Sequence, residues 1–163
     1  MTPTTNPTNR QTHFSTKLIL KAGLLAGTLD ITCAFVYSYI KRGTYPSTVL
    51  KFIAEKVFGE ATFTNAALQN ITGLLIHFTI AMFWTFVFFK LYDKIQFLRS
   101  NTIITAILYG LFVWLMMNVV LLPAWDKKAF VFNAVPSIIS AAILMIAIGL
   151  PLSIIARRHY RKK

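Results

Sequence analysis

Asp30 is a carboxylate near the middle of a long apolar run, Leu18 to Ile40, and His77 is the imidazole of a second run, Leu68 to Phe89. An aspartate at mid-bilayer costs about 2.5–3.5 kcal/mol on insertion scales, so it asks for a partner. A helical rise of about 1.5 Å per residue puts the two side chains within roughly 2 Å in height. A carboxyl beside an imidazole exchanges a proton near neutral pH, the chemistry of a proton or ion relay. The same pair, hydrogen-bonded and inert, sets helix register instead. Above it, by the same rise, lie Asn70 and Asn118, with Asn133 at the outer mouth. A relay also needs a continuous polar path, and on the other side of Asp30 the chain offers mainly Thr28, Thr105 and Tyr109.

Two seams position these groups. Gly23, Gly27, Asp30 and Ala34 recur at helical spacing, and the small residues turn the face bearing Asp30 toward another helix. Asn70, Gly73, His77, Ala81 and Trp84 form the matching stripe on the second run. The two stripes are natural mates, with Gly23, Gly27 and Gly73 as the points of close approach.

Other chemistry finds little material. Asp30 and His77 do not make a closed metal site, which wants about four ligands. His77 is the only histidine within an apolar run, and Met82, Met116 and Met117 read as packing residues, so neither haem nor another cofactor is expected. Cys33 is the single cysteine, a small packing residue. His13 and His159 sit in charged tails and read as solvated. There is no H-E-x-x-H, no G-x-S-x-G and no Gly-rich phosphate loop, which leans against an enzyme.

The elements that hold these residues are membrane spans. Of 163 residues, 56% are hydrophobic and only 13% charged, about half the charged fraction of a soluble domain. Mean hydropathy is +0.60. The net charge of +12 lies outside or at the ends of the apolar runs, so it marks membrane flanks and anionic lipids rather than nucleic acid. Four spans are predicted at about 18–40, 68–89, 102–122 and 135–156, each long enough for a hydrocarbon core of about 30 Å. Residues 1–16 read as a disordered tail, 17–157 as the transmembrane domain and 158–163 as a basic tail. Between the first two spans, apolar residues recur at helical spacing over 47–58, with Lys51, Glu55 and Lys56 opposite. That amphipathic helix lies flat in the interface or folds back over the bundle. Pro123 ends the third span, and Pro151 should kink the fourth. Asp126-Lys127-Lys128 reads as a polar turn. Eleven Lys and Arg flank the even side, against six on the other, which puts both termini in the cytoplasm.

The segments Ala22 to Asp30, Pro46 to Ala54 with Val57-Phe58-Gly59, Gly73 to Phe78 and Met117 to Pro123 together resemble a family of small, uncharacterised bacterial inner-membrane proteins with four spans. The resemblance runs from about Lys17 to the end. It implies the fold and the inner (plasma) membrane, and it brings no activity.

The expectation is therefore an all-α, polytopic membrane protein of four helices plus one short amphipathic helix. Its role is structural or accessory, through helix packing or a homo-oligomer. The alternative is a proton-linked small transporter or channel using Asp30 and His77. A membrane redox or haem role comes third.

Overall fold

The computed structural model describes residues 14–59, 62–126 and 133–161. The chain is all-α, with four helices long and apolar enough to cross a membrane: Thr16–Arg42, Ala66–Lys94, Thr102–Trp125 and Ala134–Arg161. Most of the predicted disordered tail, with His13, lies outside the described residues, as do Lys127 and Lys128 of the predicted turn and Lys162 and Lys163.

Helix α1 (Thr16–Arg42) stops at Gly43, whose φ of +63° suits glycine and whose N–H returns to the Tyr39 carbonyl. Three residues later α2 (Pro46–Phe58) starts, with Pro46 in the first turn where no N–H is needed. The amphipathic helix folds back rather than lying flat. Ala54 is fully buried, and the Leu50 carbonyl sits against Gly73 so closely that a Cβ there would clash. Gln69 Nε2 donates to Glu55 Oε1 at 3.0 Å, and Lys51 Nζ lies 3.6 Å from the same oxygen. Gly73 therefore serves α2 and not α1, because the second span's seam is shared between two neighbours.

Helix α3 (Ala66–Lys94) is capped by Asn65, whose Oδ1 accepts from the N–H groups of Ala67 and Leu68. Its contact with α1 is made through small residues. A Cβ at Gly23 would strike Met82, and one at Gly27 would sit 3.0 Å from Ala81 Cβ and 3.1 Å from the Phe78 ring. After the single turn α4 (Phe97–Ser100), Asn101 caps α5 (Thr102–Leu115) in the same manner as Asn65.

The third long helix does not stop at Pro123. It passes through a π-helical segment, Met116–Leu121, into α6 (Leu122–Asp126). The fourth does likewise: α7 (Ala134–Leu144), a π segment Met145–Gly149, then α8 (Leu150–Arg161). Each π segment ends two residues before a proline. A proline ring clashes with the carbonyl four residues back, and the wider turn moves that carbonyl aside. The N–H groups of Leu122 and Leu150 instead reach back five residues, to the carbonyls of Met117 and Met145. Third and fourth helices meet at glycines: a Cβ on Gly110 would strike the Met145 backbone, and one on Gly149 the Ala106 carbonyl.

The half of the bundle where α1 begins and α8 ends is densely packed. Phe88, Phe89, Tyr92, Tyr109, Leu152 and Ala156 are buried around the small residues Ala22 and Ala26 of α1. Phe88 and Tyr109 meet edge to face, 4.8 Å between centroids. The predicted basic tail is helical to Arg161, and His159 is not solvated. Its ring packs 5.1 Å from Phe14, which also touches Phe89 and Tyr160, so aromatic burial there outweighs the charge around it. Arg99 lies 4.4 Å over the Tyr160 ring, and Tyr160 donates to Asp93 Oδ1 at 2.8 Å.

Candidate functional site

In the other half the four helices enclose a cavity of about 530 Å³, walled on one side by α2. Its outline on α1 is one helical stripe: Asp30, Ala34, Ser38 and Arg42. Twelve residues of helix make that stripe roughly 18 Å long. The cavity is an elongated slot along that stripe.

Asp30 and His77 both line the inner part of the slot, on facing helices. His77 Nε2 donates to the Gly27 carbonyl at 2.9 Å, one turn before Asp30. This ties α3 to α1 and leaves Nδ1 without a bond among the described residues. Asp30 is within electrostatic reach of the His77 ring. Its carboxylate makes no hydrogen bond or ion pair with any described residue. The acid that the sequence made conspicuous therefore faces a cavity, half-buried and without a direct partner.

The asparagines separate. Asn118 lines the slot and donates through Nδ2 to the Trp114 carbonyl of its own helix, 3.0 Å. Asn70 is half-buried away from the cavity wall, so the two do not meet there as a pair. Asn133 is exposed at the start of α7, and its carbonyl accepts from the Ser137 N–H.

Several wall residues escaped the sequence reading. Arg42 and Lys56 looked like flanking charges, yet both line the slot at its α2 end, near Thr44, Thr48 and Trp125. Lys56 was expected opposite the apolar face of α2. It belongs to the cavity face, with its ammonium 4.9 Å over the Phe52 ring. The signal available was the continuation of the Asp30 stripe through Ala34 and Ser38 to Arg42. Met117 and Asn118 reach the slot from the first π segment, and Ile148 from the second. Trp84 closes the inner end and donates through Nε1 to Met117 Sδ at 3.3 Å.

Beyond Trp84, Val113 and Ile148 the next helical turn brings Phe88, Tyr109 and Leu152, all buried. The Tyr109 hydroxyl donates to the Trp84 carbonyl, and Thr105 donates to the Leu98 carbonyl at 2.7 Å. The polar groups suggested as a path on this side are thus engaged with backbone, and Thr28 is exposed on the outer face of α1. Chemically, the slot offers an acid and an imidazole at one end, two cations and several hydroxyls at the other, and an apolar middle.

Comparison with protein-family models, with curated proteins and with solved structures finds no match for this chain.

Proposed function

We propose that this protein binds an elongated amphiphilic small molecule inside the membrane, in the slot between Asp30 and Arg42. The observation that carries this is the Asp30 carboxylate, without a hydrogen bond to any described residue, at the inner end of a cavity of about 530 Å³, within the size range of ligand sites. A buried carboxylate is stabilised by a donor, and a ligand amine or hydroxyl supplies one. Arg42 and Lys56 at the mouth favour an acidic head group, and the apolar middle favours a methylene chain. The packed half around Phe88 argues against a continuous channel, and favours a pocket open on one side. An accessory role through packing alone requires no such cavity.

The basic flanks and the family resemblance support an inner-membrane location with cytoplasmic termini, so the slot opens away from the cytoplasm. Proton-linked transport is the second reading, favoured by the closeness of Asp30 and His77. Protonation of the acid would release a ligand amine or hydroxyl, coupling occupancy to pH.

The test is binding of ω-aminododecanoate to protein in nanodiscs, followed by tryptophan fluorescence, since Trp84 and Trp125 line the slot. Asp30→Asn should weaken binding about tenfold or more, and Arg42→Gln with Lys56→Gln by a similar factor. Dodecanoate, lacking the amine, should bind Asp30→Asn and the parent equally. Equal binding of ω-aminododecanoate by parent and Asp30→Asn, or none by either, defeats the proposal. An acid-pulse assay in proteoliposomes decides the second reading: no difference between parent and Asp30→Asn in proton uptake rejects it.

A further inference from the structure

At the opposite end of the bundle a second concavity, about 290 Å³, lies between the first residue of α5 and the last turns of α8. It is lined by Thr102, Ile154, Arg157, Arg158 and Arg161. Arg157 Nη1 donates to Thr102 Oγ1 at 2.8 Å, which fixes one guanidinium and leaves the threonine proton to donate. Arg158 and Arg161 are exposed and make no hydrogen bond or ion pair with any described residue. No carboxylate of the described residues lines the groove. Asp93, the described acid at this end, is engaged by the Tyr160 hydroxyl. Arg99 is held elsewhere, donating to the carbonyls of Tyr92 and Asp93.

Three guanidiniums in one groove repel one another unless an anion lies among them. Guanidinium is the side chain that grips phosphate oxygens in a planar, bidentate fashion. The backing is rigid, because Gly149 on the π segment preceding α8 abuts the Ala106 carbonyl of α5. The groove also sits where two helices long and apolar enough to cross a membrane end, and Ile154 gives it an apolar inner wall. Basic pockets between spans are a known form of anionic head-group site.

We propose that this groove binds the phosphate diester of an anionic phospholipid in the leaflet at the end of α8, independently of the slot at the other end. Phosphate is the recognised chemistry, and the lipid is the source to which the proposal commits.

The test uses the full chain in mild detergent, with native mass spectrometry counting bound lipid. Phosphatidylglycerol should be retained about tenfold better than phosphatidylcholine. Arg157→Gln, Arg158→Gln and Arg161→Gln together should abolish that preference, and the corresponding three lysine substitutions should restore it only in part, because an ammonium lacks the fork. Lys17→Gln with Lys94→Gln, removing charge at the same end outside the groove, should leave it intact. Folding of each variant is checked by its melting midpoint in phosphatidylcholine. The site is overturned if the glutamine variant, folded, keeps the preference, or if the Lys17/Lys94 pair loses it equally. Competition by inorganic phosphate at equal concentration assigns the groove to free anion and overturns the lipid.

Discussion

The half of the bundle around Phe88 and the half around Asp30 are made from the same four helices, yet one is filled and the other is hollow. On α1 the two halves look alike, since Ala22 and Ala26 are as small as Ala34 and Ser38. The difference lies opposite them. Phe88, Phe89 and Tyr92 fill the space beside the first pair. Beside the second pair stand Ile76, His77 and Ile80, and the one glycine of that stretch is given to α2. A small-residue stripe packs closely when the facing helix either fills the space with large side chains or is itself small enough to approach. Where it does not, α2 holds the gap open as a wall. The filled half supplies stability, which frees the hollow half to keep an unpartnered acid.

Replacing Phe88 with Ala tests this division most severely. Its phenyl group is fully buried among aromatic neighbours, and the loss should be about 2–3 kcal/mol. That is below a water-soluble core, because an unfolded chain in lipid keeps its phenyl in hydrocarbon. Phe52→Ala, on the slot wall, should shift the denaturation midpoint in SDS by less than a third as much. Equal losses would erase the distinction between the halves.

Two glycines sharpen it next. Gly149→Val forces a Cβ against the Ala106 carbonyl and should destabilise the whole bundle by about 1–3 kcal/mol. Gly73→Val makes the same collision with the Leu50 carbonyl. There the expected result is release of α2, seen as rapid proteolysis after Lys51 or Lys56, with the four-helix midpoint nearly unchanged.

Smaller still is Tyr109→Phe, which removes the hydroxyl donated to the Trp84 carbonyl and should cost about 0.6 kcal/mol, the average for such bonds in membranes. Asp30→Asn comes last, because no bond to the carboxylate is lost: the midpoint should stay level or rise slightly. If Asp30→Asn proves more destabilising than Tyr109→Phe, the acid belongs to the packing and not to the slot.

Much of the helical frame was legible in the sequence. Span positions, the Gly23/Gly27 seam and the inward face of Asp30 follow from period and residue size, which act locally. The slot was only half legible. His77 and Asp30 line the same cavity from facing helices, but the Gly27 carbonyl that holds His77 is a backbone group and leaves no side-chain signature. Nor does spacing reveal a void, because emptiness depends on which residues face each other across helices. Arg42 and Lys56 were read as topology markers, since a cation near a span end serves both purposes. The continuation past Pro123 was hidden for another reason: a proline usually stops a helix, and only the backbone shows the wider turn that lets it pass.

A π segment is an α-helix carrying one residue more than its turn requires. Each residue advances the helix by about 100°, so the stretch after Met116–Leu121 is rotated by that angle relative to an unbroken α-helix. Forcing the same residues into an unbroken α-helix would turn Leu122 and Trp125 away from the slot, whereas deleting one residue there would restore regular geometry and leave both facing it. The third span behaves as two rods joined out of phase, and the mouth of the slot is set by that phase as much as by the side chains that line it.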